Sequence, residues 1–180
     1  MSRYAAFLRG MNVGGHRLSN EELRSHFTAI GFEEVACFRA SGNVVFAGKS
    51  DKPEEVRARI ERGLEKLLGY AVPTFVRSSD EVLEIAGSEP FTGAQVSASK
   101  GKLQVAMLFE KPPAKARKEL LALASEADRL ALESRELYWL PSGGVLETGL
   151  DMKRIERLLG PMTMRTKGTV EQLAAKHFAQ

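Results

Sequence analysis

Arg9-Gly10-Met11-Asn12-Val13-Gly14-Gly15-His16-Arg17 leaves an apolar run, Tyr4 to Leu8, and enters a helix whose start is marked at Ser19. Such a loop gathers free backbone N–H groups, cationic side chains and a helix N-terminus at one spot, which are the physical requirements for holding an anion. The run before it, residues 3–9, is apolar on both faces, so it reads as a central strand covered on both sides. The helix after it has a clear beginning. Ser19 and Glu22 make a capping box, and Leu18 and Leu23 a hydrophobic staple. Leu23, Phe27 and Ile30 then share one face, and Gly31 ends the helix.

Working outward, residues 35–39 and 44–47 read as strands joined by Ala40-Ser41-Gly42-Asn43, a turn-rich segment. Asp51 and Glu54 open a second helix with Val56, Ile60, Leu64 and Leu67 on one face, ending at Gly69, and residues 73–77 form a fourth strand. The order is β-α-β-β-α-β, the ferredoxin-like or split βαβ pattern. A short helix opened by Ser79 or Asp80 follows. Residues 88–101, rich in Gly, Ser and Ala, read as a linker. The pattern then repeats: strand 103–109, a helix after Pro112-Pro113 with Leu120 and Leu123 inward, and strands 129–133 and 136–140. Asp151 caps a helix bearing Ile155, Leu158 and Leu159, which stops at Gly160-Pro161 before a last strand at 162–165. Thr169 and Gln172 form another capping box, opening a terminal helix with Val170, Leu173, Ala174 and Phe178 on one face. The expected class is therefore α+β, two tandem ferredoxin-like halves with a C-terminal helix. Residues 1–78 make the first half, 79–101 a short helix and linker, and 102–180 the second half with the terminal helix.

Composition narrows the function classes. With 43% apolar and 27% charged residues and no low-complexity tract, a chain of 180 residues is globular, as one domain or two small ones. No apolar run approaches the roughly 18 residues of a membrane span, and Met1-Ser2-Arg3-Tyr4 opens no secretory signal, so a soluble cytoplasmic protein is expected. Cys37 is the single cysteine, set among apolar neighbours where a core role fits, and excludes an intrachain disulfide. His16, His26 and His177 are scattered without ligand spacing, so no metal site is expected. The net charge of +3 is not spread along the chain. Residues 1–80 carry 12 basic and 10 acidic side chains, residues 81–150 carry 8 and 10, and residues 151–180 carry 6 and 3. A nucleic-acid domain shows a concentrated basic face, and here the excess is small and terminal.

In the expected topology the third strand lies antiparallel beside the first, which makes the 9–15 loop and the Ser41-Gly42-Asn43 turn neighbours. Arg9, Asn12, Ser41 and Asn43 then meet at the N-terminus of the first helix. One reading is bracing, with Asn and Ser tying two loops together and glycines supplying positive φ. The other is binding, since a buried strand rarely ends in a guanidinium without a carboxylate, phosphate or carbonyl partner. Sharper nucleotide signatures are missing. The glycine pair precedes His16-Arg17 where a Walker A loop needs Gly-Lys-Ser/Thr, and the Gly-x-Gly-x-x-Gly spacing is absent. Arg39, Gly42, Val44 and Phe46 fall in register with the strand-three signature of the RNA-recognition motif. Ser41 and Asn43, however, stand where its base-stacking aromatics belong. Cys37 lacks an evident histidine partner, and neither Gly-x-Ser-x-Gly nor His-Glu-x-x-His occurs. Ser41 is a turn serine before it is a nucleophile with His16 as base. His177 reads as a packing residue, and Trp139 and Tyr138 alternate on a strand, one inward and one outward.

Phe7-Leu8-Arg9-Gly10-Met11-Asn12-Val13-Gly14-Gly15, the capped helix ending Ile30-Gly31-Phe32, and Ser41-Gly42-Asn43-Val44-Val45-Phe46 closely resemble the bacterial family called domain of unknown function 1697. The resemblance runs on through Tyr138-Trp139-Leu140-Pro141 to Thr169-Val170. It implies a duplicated ferredoxin-like fold and no established activity. Many relatives carry Arg-Asn-Trp before the final Thr-Val, where this chain has Arg165-Thr166-Lys167-Gly168. They also often have Ser-Lys where it has Glu147-Thr148-Gly149.

The expected function is a small non-enzymatic binding module for an anionic ligand, a nucleotide or phosphorylated metabolite. Its candidate ligand-binding residues are Arg9, Gly10, Asn12, Gly14, Gly15, Ser41, Gly42 and Asn43. No catalytic residue, cofactor, membrane contact or oligomeric state is assigned. Two alternatives stand beside it: an enzyme acting on a small metabolite in the same cleft, and weak nucleic-acid binding through Lys153, Arg154, Arg157, Arg165 and Lys167. These last could equally form a solvated basic face.

Overall fold

The computed structural model describes every residue except Val13, Ser41 and Asp51. The chain divides into two compact units, one made of Met1–Glu84 with Leu173–Gln180 and the other of Ile85–Gln172. In the first, β1 (Ser2–Leu8), α1 (Asn20–Ile30), β2 (Glu33–Cys37), β3 (Asn43–Gly48), α2 (Pro53–Leu68) and β4 (Thr74–Ser78) follow one another, and α3 (Ser79–Gly87) begins. The strands form one antiparallel sheet in the order β2-β3-β1-β4. Tyr4, Ala6 and Leu8 of β1 join Phe27 of α1, Val44 and Phe46 of β3, Ile60 and Leu64 of α2 and Val76 of β4 in one apolar cluster. Ala5 and Phe7, on the opposite face of the same strand, are fully buried too. A strand covered on both faces has no polar positions to alternate, which is why 4–8 reads as an unbroken apolar run.

Local signals set most of the boundaries. Ser19 is the N-cap of α1, its side chain accepting from the Glu22 amide while the Glu22 carboxylate accepts from the Ser19 amide. Gly31 and Gly69 close α1 and α2 in the left-handed conformation, with φ of 105° and 81°. The N-cap of α2 is Lys52, without a side-chain hydrogen bond, and Pro53 opens the helix. The expected role of Asp51 at that start lies outside the described residues.

The second unit carries α4 (Gly93–Ala98), β5 (Gln104–Leu108), α5 (Ala114–Leu121), β6 (Asp128–Glu133), β7 (Glu136–Pro141), a 3-10 turn at Val145–Glu147, α6 (Met152–Leu159), β8 (Met162–Thr166) and the first part of α7 (Lys167–His177). Its antiparallel sheet has the order β6-β7-β5-β8. The second unit departs from the expected layout at three places. The 88–101 stretch is not all linker, because Thr92 and Gln95 make a capping box that starts α4. The terminal helix starts at Lys167 and is capped by Thr166, whose hydroxyl accepts from the Thr169 amide, three residues before the expected Thr169 cap. Tyr138 and Trp139 are both 1% exposed instead of one in and one out, since both faces of β7 are covered. Among the described residues no helix is long and apolar enough to cross a membrane.

The two units share detailed register. Ala5 faces Arg77 across β1 and β4, and Val105 faces Arg165 across β5 and β8. The Leu8 amide donates to the Gly42 carbonyl at 2.9 Å, and the Leu108 amide to the Arg135 carbonyl at 2.9 Å. Ser78 accepts from the Glu81 amide as Thr166 does from Thr169, each at 3.2 Å, so both fourth strands run into a helix capped the same way.

Candidate functional site

The end of β1 is where the first unit brings three segments together. Phe7 lies opposite Asn43, the Leu8 amide is held by Gly42, and the Arg9 amide donates to the Pro73 carbonyl at 3.0 Å. Gly42 is needed there: its φ is +78°, and an added Cβ would sit 3.0 Å from Leu8 Cβ and 3.2 Å from Met11 Sδ. Beyond Arg9 the chain is pinned at two points, Met11 and Leu18, both of which bury their side chains in the core. Between them Gly14 and Gly15 take positive φ, as Gly10 does before them, and all three glycines are exposed. Asn12 Oδ1 accepts from the Leu18 amide at 2.9 Å, closing the loop from within. Tyr70, just past the end of α2, donates its hydroxyl to the Met11 carbonyl at 3.3 Å, and the His16 ring stacks on it at 4.0 Å and 25°.

A cleft of about 520 Å³ opens on this loop, lined by Asn12, Arg17, Leu18 and Ser19. Its chemistry is cationic. Arg17 is exposed and, among the described residues, has no carboxylate within ion-pair distance. Arg9 is half-buried at the strand end, within the same loop. The helix pole contributes less than the sequence suggests, because Glu22 already occupies it. The Ser19 amide and hydroxyl hold the Glu22 carboxyl below its usual range, so the positive end of α1 faces an internal anion. Exposed at the cleft are the Arg17 guanidinium and, earlier in the same loop, the Gly14-Gly15 backbone.

Asn43 turns away from the cleft. It is buried, its amide donates to the Phe38 carbonyl at 3.1 Å and the Ala40 carbonyl at 3.5 Å, and its own carbonyl accepts from the Phe38 amide. These bonds brace the β2–β3 joint, as the bracing reading of the turn describes. Asn20 adds to the brace by donating to the Arg39 carbonyl at 2.9 Å. Ser41 and Val13 lie outside the described residues. Arg17, Leu18 and Ser19 line the cleft without standing among the expected ligand-binding residues, and Tyr70 reaches the same loop through His16 and the Met11 carbonyl. Arg17 carried a signal in its place just after the Gly14-Gly15-His16 run and Ser19 in its capping box with Glu22, whereas Tyr70 carried none.

The other candidates separate. Lys153, Arg154 and Arg157 are exposed on α6. Arg165 and Lys167 do not join them on a surface. Burial pushes the Arg165 guanidinium down to about 10, and it donates to Thr163 Oγ1 and the Met164 carbonyl. Lys167 is 5% exposed and donates to the Ala86 carbonyl and to Glu171. The basic segment of the sequence is thus divided between surface and interior, as its periodicity alone could not show. Cys37 is half-buried, its thiol donating to the Asn20 carbonyl, and burial pushes its pKa up against the pull of Arg24. His177 sets its ring edge against Phe38, and its Nε2 is buried without a hydrogen-bond partner among the described residues.

The solved structure of the conserved bacterial protein SP0830 from Streptococcus pneumoniae resembles this chain with a TM-score of 0.72 at 19% identity, covering 98% of each chain. At that identity the likeness carries the fold alone. No curated protein matched the sequence. A family model described as protein of unknown function (DUF1697) matches residues 1–138, a span that holds the 9–15 loop and the Gly42-Asn43 turn and stops before the second-half departures at 147–149 and 165–168. With more than half of its length matched, including every element that builds the cleft, the chain belongs to the DUF1697 family.

Proposed function

We propose that this chain is a binding module for a small anionic ligand, held at the 9–15 loop on a scaffold of two ferredoxin-like repeats. The observation that carries the reading is Arg17: an exposed guanidinium with no carboxylate partner among the described residues, beside the exposed Gly14-Gly15 backbone and the cleft on Asn12. Arginine at such a place suits planar, multidentate recognition of phosphate or carboxylate. The repeat reading draws on the strand orders and shared registers, and it makes the loop informative. At the corresponding place in the second half, after β5, the chain runs Phe109-Glu110-Lys111-Pro112-Pro113, with two prolines and no glycine. The fold itself therefore does not require a glycine-rich cationic loop after its first strand. Binding is favoured over catalysis because Ser19, the one hydroxyl residue among the cleft's described lining, is engaged with Glu22 in the cap of α1.

Isothermal titration calorimetry with inorganic phosphate tests this. Saturable binding is expected at low salt, weakened about tenfold or more by Arg17→Ala, which removes charge-assisted hydrogen bonds worth about 1.5–3 kcal/mol. Equal affinity in the variant would remove the site from this loop.

A further inference from the structure

We infer that the anion is part of a nucleotide, with its phosphate on the Arg17 side of the loop and its base stacked on the outer face of His16. The inference rests on the anion-binding reading above and adds the ring. Three observations support it. The imidazole is exposed although one of its faces is covered by Tyr70, so it presents its other face outward. The stack is anchored and not floppy: Tyr70 is half-buried against the core and donates to the Met11 carbonyl, the residue that pins the loop. A ring held in place in the free protein loses little freedom when a ligand covers it. Finally, His16 is the direct neighbour of both Gly15 and Arg17, so a ring platform and an anion-holding group occur within two consecutive side chains.

A phosphorylated sugar would use the guanidinium and leave the ring wet. A nucleoside monophosphate joins a π face to a phosphate through one sugar and uses both. Every base has such a face, and stacking on an aromatic side chain is tolerant of which base it is. The site therefore selects for the nucleotide class, without the edge hydrogen bonds that would distinguish one base from another. The helix pole takes no part, since Glu22 fills it.

The test compares adenosine monophosphate, ribose 5-phosphate, adenosine and inorganic phosphate by calorimetry on the full chain and on His16→Ala and His16→Phe. The nucleotide is expected to bind at least tenfold tighter than ribose 5-phosphate, a difference of about 1.4 kcal/mol. His16→Ala should bring it to the level of ribose 5-phosphate while leaving the sugar phosphate unchanged, and His16→Phe, which keeps a ring, should retain the preference. Equal binding of nucleotide and sugar phosphate by the wild type overturns the inference and leaves the anion site standing. Failure of every phosphate to bind overturns both. Loss of the preference in His16→Phe as well as His16→Ala, with the fold intact by circular dichroism, also counts against stacking.

Discussion

Replacing Gly42 by alanine should unfold the first unit more easily, by an amount that can be worked out from its surroundings. The residue holds φ at +78°, a conformation that costs an L-amino acid about 1–2 kcal/mol. The added methyl would also meet Leu8 Cβ at 3.0 Å, Met11 Sδ at 3.2 Å and the Leu8 carbonyl oxygen at 3.4 Å. Met11 Sδ can shift, but Leu8 sits in the central strand and its carbonyl is backbone, so part of the overlap must be absorbed as overpacking at about 1–3 kcal/mol. The expected loss is about 2–5 kcal/mol. Gly14→Ala provides the control, because its φ is +66° with nothing within 4 Å of the added methyl, so it carries the conformational term alone. Urea unfolding followed by circular dichroism gives both values from the shift in midpoint. If Gly42→Ala costs no more than Gly14→Ala, the close approach of the turn to β1 is not what fixes the strand end.

Three further outcomes are expected. Arg9→Ala should weaken phosphate binding less than Arg17→Ala does by calorimetry, because Arg9 is half-buried and does not line the cleft; a loss as large as that of Arg17→Ala, with the melting temperature unchanged, would move the anion contact to Arg9. Asp128→Ala should lower the stability of the second unit by about 1–3 kcal/mol in urea, since Asp128 Oδ1 accepts from buried Trp139 Nε1 at 2.9 Å and from the Thr148 hydroxyl at 2.8 Å, and Asp128→Asn should lose less. Burial foremost, then the charges of Lys176 and Arg3, hold the His177 pKa below its ordinary value, so the unfolded chain binds the proton more readily. The stability that His177 contributes is thus full above the ordinary histidine pKa of about 6.5 and is lost as pH falls through the folded value; a thermal melt series should show the slope, and His177→Gln should flatten it.

How much of this was legible depended on where each signal is stored. Ser19 with Glu22, Gly31, Gly69 and Asp151 act within one turn of their own helix, and each boundary falls where the local chemistry places it. Thr92 and Gln95 carried the same signal, but the surrounding Gly, Ser and Ala obscured a helix that buries no side chain. The neighbourhood of Leu8 and Gly42 followed from strand order, because an antiparallel third strand must start where the first ends. Side-chain direction did not follow. Whether Asn43 faces a ligand or the Phe38 carbonyl is set by the joint folding over it, and whether Tyr138 or Trp139 faces outward by what covers the second face of the sheet. The same limit hid the burial of Arg165 and Lys167, whose residue types argue for a surface. Tyr70 reached His16 across more than fifty positions, with nothing local to announce it.

Anion binding at the 9–15 loop can be followed residue by residue through the backbone amide resonances while inorganic phosphate is titrated into the labelled protein at low salt. Saturable shifts are expected to concentrate at Gly14, Gly15, His16 and Arg17, with the α6 amides of Lys153, Arg154 and Arg157 unmoved. Shifts that grow linearly without saturation, or that gather on α6 and leave the glycine pair unchanged, would contradict it.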